Sequence, residues 1–208
     1  MRKEFLEFTC TKECPYTSTC CRLPTEVIKH EGREGIDILI FGQGAGKDEA
    51  KIGRCFVGRS GKYMRSIIKS LWDNPEVGPF NIALTNNVRF RPEDENGKDR
   101  MPTAEEISRC ITHLHRDIAQ LNPKVIVPVG KNATLSILNT SPTFLNVSIA
   151  TMISLRGNVF TNTNGIKRTV IPTWHPSFLC RQYGGFDPTK NNKYDKEFIA
   201  DILKALEC

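Results

Sequence analysis

The stretch from Ile36 to Tyr63, IDILIFGQGAGKDEAKIGRCFVGRSGKY, constrains the fold more than any other part of the chain. Its run from Ile36 to Phe41 is apolar, rich in β-branched residues and closed by Gly42, the pattern of a strand buried in a parallel sheet. Such a strand delivers the backbone into Gly42, Gly44 and Gly46, whose missing side chains leave main-chain amides open to a planar or anionic ligand. Ligands in open α/β sheets bind outside the carboxyl ends of the strands. The residues by themselves also fit a plain tight turn. A nucleotide-binding loop is disfavoured, because the third glycine arrives too early for GxGxxG and no GK[ST] follows.

Further strands are expected over Phe80 to Asn87, Lys124 to Gly130 and Arg168 to Trp174. Between them lie helical segments, Ser60 to Trp72, Thr103 to Leu121 and Lys131 to Leu138, with Lys193 to Leu206 at the end. Thr103 and Glu106 have the spacing of a capping box, and Ile149 to Phe160 is expected to add an irregular or edge strand. The alternation predicts an α/β fold, a three-layer α/β/α sandwich around a central, mainly parallel four-stranded sheet. The 208 residues suit one domain, 1–208, with a cysteine-rich segment at about 8–23. In a parallel sheet the carboxyl ends converge, so Gly42 to Gly46, Asn86 to Arg89 and His175 should share one rim.

A formal net charge of +6 favours a polyanionic partner. Lys47, Arg54, Arg59, Lys62, Arg89, Arg91 and Arg181 are candidates for a basic band along the rim. The apolar runs are strand-sized and the N-terminus lacks the apolar core of a secretory signal, so a cytoplasmic protein without a membrane partner is expected. Eight cysteines in such a chain point to reduced thiols or a metal rather than disulfides. Cys10, Cys14, Cys20 and Cys21 cluster on a segment without helical periodicity, as in a loop wrapped around a metal, with Cys110 as the distant partner. Thiolates suit zinc and iron–sulfur alike. Cys55, Cys180 and Cys208 are left as free thiols.

Five ordered motifs carry a resemblance. Gly42 to Gly46 with Glu49, then GRCFVGRSG, then Thr85-Asn86-Asn87-Val88-Arg89, then Leu155-Arg156-Gly157, and finally His175-Pro176-Ser177 with Arg181 resemble the family 4 uracil-DNA glycosylases. That family reads GEAPG, GRPFVGxAG, TNxVKCRPP, RG and HPSxxLR in the same order. The resemblance spans Ile36 to Arg181. It implies a monomeric base-excision DNA repair enzyme that hydrolyses the N-glycosidic bond of uracil flipped out of DNA. The alternatives are a weak or inactive DNA-binding relative and a glycosylase for another modified pyrimidine. Membership of the branch that traps DNA covalently is not expected, because its KRRIH segment has no counterpart here.

The same resemblance implies roles. Phe56 would stack on the flipped base, with Gly42 and Gly44 beside it. Asn86 would read the O4 and N3–H edge of uracil, and His175 would donate to O2 as charge develops on the leaving base. Arg181, Ser177, Arg59 and Arg156 would meet the DNA, with Phe178 or Leu179 wedged into the stack. Gln43 stands where the family carries a glutamate; it can position water but cannot accept a proton, which leaves Glu49 as a substitute base. The implied cofactor is a 4Fe-4S cluster, with zinc as the alternative, held by Cys10, Cys14, Cys21 (or Cys20) and Cys110. Phe90 replaces the family's KCRPP cysteine.

Overall fold

The protein is represented by a computed structural model that describes residues 1–7, 10, 23–138, 149–161, 168–187, 189–190 and 192–208. Two short strands, β1 (Arg2–Leu6) and β2 (Thr25–Lys29), precede the central strand β3 (Ile38–Gly42). A short helix α1 (Lys47–Ile52) and the longer α2 (Arg59–Trp72) lead to β4 (Ile82–Asn86), and α3 (Ala104–Leu121) leads to β5 (Val125–Pro128). Then come α4 (Lys131–Leu138), α5 (Ile149–Leu155), β6 (Thr169–Val170), α6 (Pro176–Tyr183) and α7 (Lys193–Glu207). The sheet order is β1-β2-β4-β3-β5-β6, with β4, β3, β5 and β6 mutually parallel and β1 and β2 antiparallel at one edge.

The four parallel strands are those expected from the apolar runs. Successive side chains of β3 point to opposite faces. Ile38 and Ile40 enter one core with Met64 and Ile67 of α2 and Phe198 and Ile202 of α7. Leu39 and Phe41 enter a second core with Leu114 and Ile118 of α3 and Ile137 of α4. All four are 0% exposed, and burying each side chain stabilises the fold by roughly 1.5–3 kcal/mol. Helices therefore cover both faces, giving the α/β/α sandwich. At α3 the capping box forms as expected: the Glu106 amide donates to Thr103 Oγ1 (3.2 Å), and the Thr103 amide donates to Glu106 Oε2 (2.7 Å).

Three features depart from expectation. The antiparallel pair β1/β2 has no strong sequence signal, since RKEFL and TEVIK are short and carry charges. Glu26 of β2 is nevertheless fully buried, because Arg54 (2.6 Å) and Arg65 (2.5 Å) neutralise it. Residues 149–155 form a helix rather than a strand, and among the described residues strand pairing nearby is limited to a single bridge, Phe160 to Val170. Finally, Arg89 is an interior residue rather than part of a basic rim. It is 0% exposed, ion-paired to Asp117, and donates to Thr25 Oγ1 (2.8 Å). Among the described residues no helix is long and apolar enough to cross a membrane.

Candidate active site

Strand ends converge on a cleft of 460 Å³. The parallel register sets Gly42 opposite Asn86, and beyond β5 a bridge pairs Val129 with Thr173, just ahead of His175. Gln43, Gly44, Glu49, Phe56 and Asn86 line one side, while His175, Ser177 and Arg181 line the other. Gly42 lies beneath them. A Cβ there would stand 2.7 Å from Asn86 Oδ1 and 3.1 Å from Phe56 Cζ, so glycine is what lets these two side chains meet over the strand end.

Phe56 adopts φ +54°, a left-handed conformation that is strained for a bulky residue and found where the surroundings enforce it. Arg65 enforces it by donating from Nε to the Phe56 carbonyl (2.9 Å) and from Nη2 to the Cys55 carbonyl (2.8 Å). The ring is buried yet borders the cleft. Asn86, 2% exposed, donates from Nδ2 to Cys55 Sγ (3.4 Å).

His175 caps α6, with Pro176 at the first helical position, where its missing N–H costs nothing. The Ser177 amide donates to His175 Nδ1 (3.0 Å), which requires a lone pair on that nitrogen. The proton of the neutral ring therefore sits on Nε2, which remains available as a donor. The Ser177 hydroxyl lies 2.7 Å from the same Nδ1 and accepts from Arg181 (3.2 Å), so Ser177 links the two. Burial first, and the Arg181 charge second, push the His175 pKa down to about 4. The approach of the ring to β5 needs Gly130, at φ +82°, where a Cβ would stand 2.7 Å from His175 Cβ.

Glu49 has its carboxylate engaged. Oε1 accepts from the amides of Val57 (2.9 Å) and Gly58 (2.7 Å), and Oε2 accepts from the Gly46 amide (3.2 Å). The side chain thus ties the first glycine turn to the second. Asp99, the other carboxylate on the cleft, is paired with Arg91. Gln43 accepts from Asn132 Nδ2 at its Oε1 (2.9 Å), and its Nε2 is buried without a partner among the described residues. Sequence reasoning passed over Asn132. Gly130-Lys131-Asn132 directly follows β5, so the convergence of strand ends that singled out the other loops applies to it as well.

The remaining expected contacts are distributed differently. Arg59 is exposed, outside the cleft lining, and reaches the Gly184 carbonyl (3.5 Å). Arg156 does not line the cleft either; it is ion-paired to Asp201 of α7 (2.7 Å) and donates to the Glu197 carbonyl (2.9 Å). The expected wedge residues pack on the core, Leu179 within it and Phe178 half-buried against it. Leu179 is 0% exposed, and Phe178 stacks on Trp174 with centroids 4.9 Å apart.

Cys10 and Cys110, distant in sequence, pack into one buried cluster with Val88 and Phe90. His113 Nε2 lies 3.4 Å from Cys10 Sγ. Cys14, Cys20 and Cys21 lie outside the described residues. Among the described residues no three His, Cys, Asp or Glu side chains are grouped to hold an ion. Cys55 and Cys180 are buried free thiols, and Cys208 is an exposed one.

The sequence-family model described as the uracil DNA glycosylase superfamily matches residues 30–203. The chain is 32% identical over 209 residues to the Type-4 uracil-DNA glycosylase of Thermotoga maritima, covering 98% of this chain and 94% of that protein. It is 28% identical to the protein of the same name from Saccharolobus solfataricus (71% and 63% covered) and 27% identical to that from Archaeoglobus fulgidus (84% and 79%).

Proposed function

Since the chain belongs to the uracil-DNA glycosylase superfamily, we propose that it acts on DNA as its relatives' names state, excising uracil by hydrolysis of the N-glycosidic bond in DNA repair. The observation that carries the reading is the cleft itself, where Phe56, Asn86 and His175 face one space of 460 Å³. A base rotated out of the duplex stacks on Phe56 and presents its edge to Asn86. His175, neutral with its proton on Nε2, donates to the carbonyl oxygen on which negative charge accumulates as the bond breaks. A neutral donor suits this role because it needs no proton uptake at neutral pH.

The geometry favours departure of the base over activation of water as the assisted step. Glu49 has both oxygens on backbone amides, Asp99 is paired with Arg91, and Gln43 cannot take up a proton. Glu49 serves best as the clamp that holds the two glycine turns in place. Gln43 is oriented by Asn132 at the cleft wall. Arg181 and Ser177 meet a phosphate of the bound strand, and Arg59, exposed nearby in the fold, adds positive charge. Arg156 serves instead to fasten α7. A DNA substrate fits an intracellular location, and the enzyme acts as a monomer.

The buried pairing of Cys10 with Cys110 fits a group held by thiolates, since an apolar cluster around two thiols joins the N-terminal segment to α3. A 4Fe-4S cluster held by Cys10, Cys14, Cys21 and Cys110 is the reading that the relatives' type favours, and zinc on the same thiolates is its alternative. Such a group supplies a cross-link rather than a chemical step. Phe90 fills the same cluster with a ring where the resembling family has a thiolate.

The test is incubation of the purified protein with an oligonucleotide carrying one uracil, followed by alkaline cleavage and a denaturing gel. Scission that disappears in His175→Ala is expected. Retained uracil-dependent binding without scission would leave a DNA-binding protein in place of an enzyme.

A further inference from the structure

Cys55 contributes nothing to the roles described so far, yet it is the side chain that holds Asn86. It is fully buried directly behind the cleft wall, next to Phe56. Its thiol donates to the Pro24 carbonyl (3.7 Å), and its sulfur accepts from Asn86 Nδ2 (3.4 Å). Among the described residues this is the one hydrogen bond of the Asn86 side chain. Resting on the reading of the cleft as a uracil site, we propose that Cys55 is a positioning residue that locks the Asn86 amide in one orientation and thereby sets the preference for uracil over cytosine.

The amide is planar, so fixing its nitrogen also fixes its oxygen. With Nδ2 pinned on sulfur, Oδ1 and the second N–H are left for the cleft, and Gly42 makes room for Oδ1. An acceptor beside a donor matches the N3–H and O4 of uracil. Cytosine presents the reverse, a lone pair at N3 and an amino group at C4, and would need the amide turned over. Turning it sets Oδ1 against the sulfur, whose hydrogen is already directed to Pro24, and leaves oxygen facing sulfur lone pairs. The thiol stays in its neutral form, because burial pushes its pKa up to about 12. In the resembling family this place holds a proline, which offers no side-chain acceptor, so the lock belongs to this chain.

Free uracil and free cytosine serve as probes, each as a competitive inhibitor of excision from a uracil-containing oligonucleotide. Wild type is compared with Cys55→Ala, Cys55→Val and Cys55→Ser, each checked by thermal melting. Ala and Val remove the acceptor with less or more volume, so one folded variant of the two suffices. The ratio of uracil to cytosine inhibition should fall about three- to tenfold in either, the worth of one net hydrogen bond, and return to within about twofold of wild type in Cys55→Ser, whose hydroxyl can donate to Pro24 and accept from Asn86. A ratio unmoved in Ala and Val, as a mere packing role would give, or moved equally in Ser, overturns the proposal. A wild-type protein that leaves uracil in DNA overturns the functional reading itself.

Discussion

Lowering the pH from 7.5 to 5.5 tests the protonation state assigned to His175. With the pKa at about 4, about 97% of His175 is neutral at pH 5.5; at the ordinary 6.5 only about 9% would be, a roughly tenfold difference in population. The physical cause is burial first and the Arg181 charge second; protonation at Nδ1 would also break the bond it accepts from the Ser177 amide. The assay is single-turnover excision with saturating enzyme, which removes the pH dependence of DNA binding from the rate. The expected rate constant changes less than about twofold between the two pH values. His175→Ala should lower it about 10²- to 10³-fold at both, the effect of deleting one donor to a developing oxyanion. Stability moves in a defined direction over the same range. The folded pKa lies below the unfolded one, so the contribution of neutral His175 is complete above 6.5 and is lost as the pH falls from 6.5 towards 4; at pH 5.5 the loss is on the order of 1 kcal/mol. Circular dichroism at pH 5.5 therefore accompanies the rate. A limb in the rate profile with a midpoint near 6.5 that vanishes in His175→Ala would refute the assignment of a neutral donor.

Glu49→Gln should lower stability by about 2 kcal/mol, since a charged acceptor of the Gly46, Val57 and Gly58 amides is lost; urea unfolding measures it. An unchanged midpoint together with lost excision would instead make Glu49 a base. Arg156→Ala should destabilise the fold by about 3 kcal/mol by stranding Asp201, while affinity for DNA stays near wild type. The opposite outcome, full stability with weakened binding, would move Arg156 to the DNA face. If the thiolates hold a metal as proposed, Cys110→Ser should lower the iron, labile sulfide or zinc found per chain after anaerobic purification; unchanged metal content would remove Cys110 from the ligand set.

The readable part of the fold was its periodic part. Ile36 to Phe41 and Val125 to Val129 are continuous apolar runs because both their faces are covered, and no other environment explains so many β-branched residues in a row. The strands β1 and β2 escaped notice because both are short and carry charges: β1 is an edge strand, where charges are tolerated, and in β2, paired on both sides, Glu26 reads as a surface residue until Arg54 and Arg65 are brought to it. Basic residues misled for the same reason. Arg89 and Arg156 look like phosphate ligands in sequence, and each is instead neutralised by an aspartate from a distant helix.

By itself the sequence determined the layered α/β architecture, the rim at which the glycine turns, Asn86 and His175 gather, and the family to which the chain belongs. Strand burial, glycine turns and motif order are written in neighbouring residues, so local chemistry suffices to read them. The tertiary structure alone decided which polar atoms remain free for a substrate. Glu49 is engaged by Val57 and Gly58, Gln43 by Asn132, Asn86 by Cys55, and the wedge candidates Phe178 and Leu179 by the core. A hydrogen-bonding group has a small number of partners, and which ones claim it depends on chain segments that meet only when the sheet is assembled.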